Sequence, residues 1–218
     1  QLYPYARWDI EGVERIPSSG PAIVVGNHRS YFDTIALGMT VLRAGRAPRF
    51  LGKKEVFDAP VIGPAARAMG GIRVDRGSGS DEPLKEAAHV LDAGEVVVVM
   101  PQGTIPRGRA FFEPTLVGKT GAARLAAMTG APVIPVGLWG TEQVWPRSSR
   151  LPNVTNVLHP PLVQVRVGDA VPGLRLGPKD AKADTEAIMA AIVALLPEEA
   201  RVPREPTEEE IARALPPS

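Results

Sequence analysis

The sequence predicts an α/β domain: a central, largely parallel β-sheet flanked by helices. Three observations carry that expectation. Short apolar runs alternate along the chain with segments of helical character, which is the pattern of successive βα units. The run Val96-Val97-Val98-Val99 is apolar at every position rather than every second one, as suits an interior strand covered on both faces. The length of 218 residues fits a single domain with a substantial core.

Taken in order, Pro21 to Gly26 reads as a short buried strand and Asp33 to Ala44 as a helix. Arg49 to Gly52 reads as a second strand, followed by a helical patch from Val61 to Met69 and a third strand from Ile72 to Asp75. The loop Gly77-Ser78-Gly79-Ser80 leads into a helix with Ser80 or Asp81 as N-cap, Pro83 in its first turn and Gly94 as its stop. After the valine strand come a helix from Gly118 to Thr129 and a strand from Pro132 to Leu138. Leu162 to Val167 alternates like a later strand, and Thr185 to Leu196 closes the core as an amphipathic helix. Pro and Glu become frequent from Pro197 onward. The expected division is a domain over 1–200 and a surface tail over 201–218, with one short helix from Thr207. The chain opens on Gln1 rather than Met, so a segment preceding it is expected.

Composition narrows the function classes. A formal net charge of +1 argues against general nucleic-acid binding. The absence of cysteine excludes a disulfide framework, a thiolate zinc site and a cysteine nucleophile. No apolar run approaches the roughly 18 residues of a spanning helix, and no secretory signal opens the chain. Gly118-Lys119-Thr120 resembles the end of a phosphate loop, but Glu113 stands where that motif needs glycine. No serine has the glycine spacing of a nucleophile elbow. His28, His89 and His159 are too scattered for a metal site; His89 reads as a helix residue and His159 as a loop residue.

His28 remains, in Gly26-Asn27-His28-Arg29-Ser30-Tyr31-Phe32-Asp33 at the end of the first strand. On a continuous helix, residues five apart point about 140° from each other, so His28 and Asp33 meet only if the backbone turns between them. The strand-to-helix junction supplies such a turn. A carboxylate on one imidazole nitrogen fixes the tautomer and leaves the other nitrogen free as a base. The alternative is structural, with Asp33 capping its own helix.

Parallel strands bring their C-terminal ends to one rim. Pro101-Gln102-Gly103-Thr104 follows the valine strand, so Gly103 and Thr104 are expected beside His28 as backbone and hydroxyl donors. Lys53, Arg76 and Arg107 would give the rim positive charge suited to a phosphate. From Arg43 to Arg76 eight basic residues face three acidic ones. This segment is expected to meet an anionic membrane surface, an acidic carrier protein or the phosphates of coenzyme A, or simply to form a solvated face.

The order of these blocks resembles a known family. Asn27-His28-x4-Asp33, Gly70 to Arg76, Pro101-Gln102-Gly103-Thr104 and Ala131-Pro132-Val133-Ile134-Pro135-Val136 are similar to the successive motifs of the glycerolipid acyltransferases. They are nearest to those of the 1-acylglycerol-3-phosphate (lysophosphatidate) acyltransferases. Lys53 to Phe57 and Gly121 to Leu125 resemble the segments between those motifs, and the likeness runs from about Ala6 to Val171.

The resemblance implies a glycerol-phosphate acyltransferase-like fold and transfer of a fatty acyl group from an acyl-CoA or acyl carrier protein thioester to a glycerol hydroxyl. His28 would be the general base and Asp33 its orienting partner. Asn27, Lys53, Arg76, Gln102, Gly103, Thr104 and Arg107 would bind substrate, with Pro135 shaping the pocket. No metal and no prosthetic group is called for. The expected partners are a phospholipid membrane surface, the acyl donor and a lysophospholipid acceptor, with the chain on the cytoplasmic face. The third motif departs from the family's usual Glu-Gly-Thr-Arg. Gln102 lacks the charge and Ile105 lacks the cation, so Arg107 is expected to reach back in its place. A different acceptor, a thioester hydrolase or a non-catalytic membrane-surface module are the other readings.

Overall fold

A computed structural model describes residues 6–53, 58, 70–74, 81–153, 158–177 and 179–216. The expected helical patch at Val61 to Met69, the Gly77 to Ser80 loop and the rim cation Arg76 lie outside the described residues. Seven strands form one sheet: β1 (Arg7–Glu11), β2 (Ala22–Gly26), β3 (Pro48–Lys53), β4 (Ile72–Val74), β5 (Val96–Val99), β6 (Val133–Trp139) and β7 (Leu162–Val167). Their spatial order is β1-β7-β6-β2-β5-β3-β4. Neighbours from β6 to β4 pair in parallel, whereas β7 runs antiparallel to β6 and carries β1 with it at the edge. The sheet is thus mostly parallel, as expected.

The central strands explain the two-sided cover. Every residue of β2 and β5 is buried, and alternate side chains face opposite layers. Ala22, Val24, Val96 and Val98 enter the layer occupied by Ala36, Leu37 and Val41 of α1 (Asp33–Arg43). Ile23, Val25, Val97 and Val99 enter the other layer. There they meet α2 (Glu82–Asp92), α3 (Gly121–Thr129) and α5 (Ala181–Ala194), through Leu91, Leu125, Ile188 and Ile192 among others. Each fully buried valine or isoleucine contributes about 1.5–3 kcal/mol, so this double burial holds the sheet centre rigidly. On β7 the predicted alternation is visible: Val163, Val165 and Val167 are buried and Leu162, Gln164 and Arg166 are not.

Several local expectations needed correction. Asp81 does occupy the N-cap of α2, but its side chain makes no cap bond; it pairs at 2.6 Å with Arg124 of α3 instead. Strand β1 went unrecognised because its five residues include two arginine or glutamate ends and lack a clear apolar run. It is held from β7, where Arg166 bonds Asp9 and lies 3.4 Å from Glu11. The four-residue helix α4 (Thr141–Val144) also escaped notice, being too short to show a period.

The basic segment divides. The Arg46 guanidinium donates to the carbonyls of Pro17, Gly20 and Gly94, and Arg49 pairs with Glu95. Gly20, Gly94 and Glu95 precede β2 and β5, so these two cations brace the N-terminal edge of the sheet, opposite the rim that carries His28. They are occupied by the fold and unavailable to a phosphate or a membrane.

Two further short helices close the chain, α6 (Glu198–Arg201) and α7 (Glu208–Arg213). Thr207 and Glu210 form a reciprocal capping box at the start of α7. Ala214, just past it, is 3% exposed and packs with Ile105 and Phe111, while Arg204 stacks on Phe112 and Glu205 pairs with Arg109. Among the described residues, no helix is long and apolar enough to cross a membrane.

Candidate active site

Strands β2 and β5 are adjacent and parallel, so the turns that follow them leave the same rim. After Gly26 the chain bends back on itself before α1. Gly26 lets Leu37 pack directly over the strand end, since a Cβ there would sit 3.0 Å from two of its methyl carbons. The next residue, Asn27, is fully buried. Its amide donates to the Leu138 carbonyl at 2.9 Å and accepts from the Leu138 N–H at 2.7 Å. Both ends of that side chain are therefore committed to β6. Asn27 fixes the turn against the sheet, with its side chain wholly buried.

The bend brings His28 Nδ1 to 2.8 Å from Asp33 Oδ2. The same Asp33 oxygen accepts the backbone N–H groups of Arg29 at 2.6 Å and Ser30 at 2.7 Å. Three donors thus converge on one oxygen, while Oδ1 is buried without a protein partner among the described residues. Asp33 is wholly buried and the His28 side chain is 16% exposed. Asp33 is the first residue of α1, and Phe32 occupies the N-cap. Its carboxylate reaches backward into the turn, which replaces the capping alternative. With Nδ1 donating to Asp33, Nε2 is left to present its lone pair at the rim.

The third predicted block supports His28 from the side. Gln102 Oε1 accepts the His28 backbone N–H at 2.7 Å. This bond ties the turn after β5 to the turn after β2. The β5 turn is shaped by Gly103 at φ +70°, whose N–H donates to the Met100 carbonyl. Thr104 is exposed beyond it. Ile105 is 2% exposed and packs with Phe111 and Ala214, so an apolar side chain suits the position where the resembled motif carries a cation. Arg107 lies at the surface. Lys53 ends β3, paired with Val74 of β4, and so belongs to the same rim.

Two arginines here escaped sequence reasoning. Arg29 is clamped between the rings of Phe111 and Trp139, at 4.3 and 4.1 Å, and pairs with Glu142 at 3.1 Å. Its place inside the His-x4-Asp spacing was the available signal. Arg147 is 6% exposed, and its Nη1 donates to the Ile105 carbonyl at 2.7 Å. Only its position shortly after a parallel strand hinted at it. Ser30 Oγ donates to the Trp145 carbonyl at 2.6 Å and Tyr31 lies against the Trp145 ring, which fastens the segment after α4 to the His28 turn.

His89 and His159 are exposed and take no part in the rim. Among the described residues, no three His, Asp or Glu side chains converge as metal ligands. A cavity of about 420 Å³ lies elsewhere, between β7 and the C-terminal end of α5, with Arg15, Trp139, Arg166 and Leu195 in its walls. It holds none of the His28 cluster. What the rim offers chemically is an oriented imidazole, accessible at one nitrogen, on a rigid strand end with guanidinium groups nearby.

The chain is similar to known proteins in sequence and in fold. The sequence pattern of the acyltransferase family matches residues 7–139. A chloroplastic 1-acyl-sn-glycerol-3-phosphate acyltransferase of Brassica napus is 37% identical over 68% of this chain and 42% of its own. The corresponding Arabidopsis thaliana protein is 36% identical over 74% of this chain and 45% of its own. The chain therefore spans less than half the length of these two curated relatives. In crystals, the 1-acyl-sn-glycerophosphate acyltransferase PlsC of Thermotoga maritima has a similar fold, with a TM-score of 0.60 at 23% identity. That likeness covers 87% of this chain and 72% of the other.

Proposed function

This chain belongs to the acyltransferase family, and we propose that it moves a fatty acyl group from an acyl-CoA or acyl carrier protein thioester to the free hydroxyl of 1-acyl-glycerol-3-phosphate, giving phosphatidic acid. The observation that carries the reading is the His28–Asp33 contact at 2.8 Å on a turn held by Gln102. In this reading the substrate's own hydroxyl is the nucleophile.

In the proposed sequence, His28 Nε2 accepts the hydroxyl proton as the oxygen attacks the thioester carbonyl. A tetrahedral intermediate forms and collapses with cleavage of the carbon–sulfur bond, and the departing thiolate takes the proton back from His28. Asp33 holds the ring and offsets the imidazolium charge that develops between these steps. The oriented pair supplies the acid–base contribution, typically 10²–10⁴-fold. The scheme needs no metal or prosthetic group.

The reading places the protein at a membrane surface, where both lipid substrates reside. Tyr31 and Ile35, on the turn and first helical turn that carry the pair, are 41% and 39% exposed. Leu151, beyond Arg147, is 74% exposed. These apolar groups beside basic residues favour an anionic lipid interface. A second acceptor, another lysophospholipid or a lipid-linked molecule, is favoured by one observation: Gln102 is uncharged and spends its oxygen on the His28 backbone.

The test is thiol release from oleoyl-CoA with and without lysophosphatidate, for the protein and its His28→Ala variant. Release that requires the acceptor and falls 10²–10⁴-fold in the variant is expected. Release without acceptor would identify a hydrolase. Equal rates in both proteins would end the general-base reading, and no release across a panel of lysophospholipids would favour a non-catalytic module.

A further inference from the structure

Arg147 is a buried cation without a counter-ion. It is 94% shielded from solvent, being 6% exposed, and among the described residues no carboxylate lies within ion-pair distance of it. One bond is made, from Nη1 to the Ile105 carbonyl at 2.7 Å. Its Nε is buried with no partner among the described residues. Burial holds the guanidinium below its ordinary pKa; the nearby Tyr31 phenol opposes that shift and the like charge of Arg107 adds to it. Arginine nonetheless stays protonated, so the charge is carried at a cost. Unpaired buried charge is disfavoured by several kcal/mol in general, and proteins retain it where an anion arrives to compensate it.

The contrast with Arg29 is informative. That neighbour is somewhat more exposed, its side chain 12% so, yet it has Glu142 and two aromatic faces. Among the described residues Arg147 has neither a carboxylate nor an aromatic face; the Tyr31 phenol favours its charge and Arg107 repels it. Arg147 is held by short tethers to the His28 turn. Gln102 bonds His28 and lies three residues before Ile105, and Ser30 bonds Trp145, two residues before Arg147.

We propose that Arg147 is the seat of the acceptor's phosphate, a phosphomonoester dianion held by its guanidinium fork next to His28, with the surface residue Arg107 adding positive charge from nearby. This rests on the acyl-transfer reading above for the identity of the molecule, but the oxyanion site stands on the geometry alone. Arg147 is then a specificity-determining residue: it distinguishes a phosphorylated acceptor from a neutral monoacylglycerol. The fork geometry of arginine matches phosphate oxygens bidentately, which a lysine does not reproduce.

The test pairs binding with kinetics on the whole chain. Thermal unfolding is followed with glycerol 3-phosphate, glycerol and coenzyme A as probes, for the wild type, Arg147→Gln, Arg147→Lys and Arg107→Gln. We expect glycerol 3-phosphate to raise the wild-type Tm by a few degrees at saturating concentration and glycerol to leave it unchanged. Arg147→Gln should unfold at or above the wild-type temperature without phosphate, because it removes an uncompensated charge, and should no longer respond. Should it fail to fold, Arg147→Lys keeps the charge and should respond weakly, and Arg107→Gln should lose part of the response. In acyl transfer, Arg147→Gln should raise the KM for lysophosphatidate roughly 10–100-fold, leaving the KM for the thioester within a few-fold.

The inference is overturned by no wild-type response to glycerol 3-phosphate, an unchanged response in Arg147→Gln, or a response to coenzyme A alone. Lower stability of folded Arg147→Gln in the absence of phosphate would also do so, since that marks a structural bond to Ile105. If glycerol 3-phosphate binds through Arg147 yet no acyl transfer is detected, the catalytic reading falls and the anion site stands.

Discussion

Asp33→Asn is the most informative single change, because one oxygen of Asp33 does all the bonding. Oδ2 accepts from His28 Nδ1, Arg29 N and Ser30 N, and Oδ1 has no partner among the described residues. An asparagine can put its carbonyl oxygen where Oδ2 stands and its NH₂ where Oδ1 stands. All three donors then keep an acceptor, and His28 keeps its tautomer. What disappears is the negative charge. A hydrogen bond to a charged group contributes about 1.5–3 kcal/mol and a neutral one about 0.5–1.5, so the loss opposite a developing imidazolium is roughly 1–1.5 kcal/mol. At 1.36 kcal/mol per factor of ten, kcat should fall by roughly 5–15-fold. The buried NH₂ gains no evident partner, which costs about 1–3 kcal/mol of stability. Asp33→Ala differs in kind. It orphans three donors at about 1–3 kcal/mol each, a sum comparable with the whole stability of a domain of 5–15 kcal/mol. The assay is single-turnover acyl transfer alongside urea unfolding of both variants. If Asp33→Asn falls as far as His28→Ala while remaining folded, the one-oxygen argument fails, because the tautomer must then have flipped. Full activity in Asp33→Asn would show that the carboxylate charge does nothing for the imidazole.

Other outcomes follow from neighbouring residues. Asn27→Ala removes the two bonds to Leu138 in a fully buried setting and should cost about 2–4 kcal/mol in urea unfolding; a change below 0.5 kcal/mol, on the order of a surface substitution, would refute the bracing role. Gln102→Glu keeps an oxygen for the His28 N–H and should retain activity within a few-fold, whereas Gln102→Leu should lose it with His28 misplaced; equal rates for the two would show that this bond does not position the base. Glu210 is held down to about 2 from 4.5, first by the Arg204 side chain and then by the Thr207 backbone N–H. A depressed carboxylate stabilises above its unfolded pKa and loses that contribution as pH falls towards the folded value. The α7 cap should therefore loosen between pH 4.5 and about 2, seen as earlier amide exchange at Ile211 than in β5. Identical pH profiles for the protein and Glu210→Gln would refute this.

Much of the fold was legible because its signals are local. A run of four valines has one good solution, a strand covered on both sides, and β5 takes it. Pro83 and Gly94 bracket a helix for reasons internal to the peptide backbone. The His28–Asp33 pair was legible for the same reason: a strand end, a turn and a helix start lie within eight residues, so chain connectivity alone brings the two side chains near each other. Where a signal was weak or short, as in β1 and α4, sequence reasoning missed it.

By itself, then, the sequence determined the alternation of strands and helices, the rim on which the turns gather and the meeting of His28 with Asp33. Tertiary structure alone decided how those residues are used. Asn27 turned out to be bound to Leu138 of β6 and Gln102 to the His28 backbone. Arg46 and Arg49 went to the far edge of the sheet, Arg29 into an aromatic clamp and Arg147 into burial without a counter-ion among the described residues. The physical reason is that a charge or amide carries the same sequence signal whether it faces water, a carbonyl or a ligand. Its partner is chosen by which strand lies beside which, and the sheet order β6-β2-β5 is settled by burial summed over the whole core.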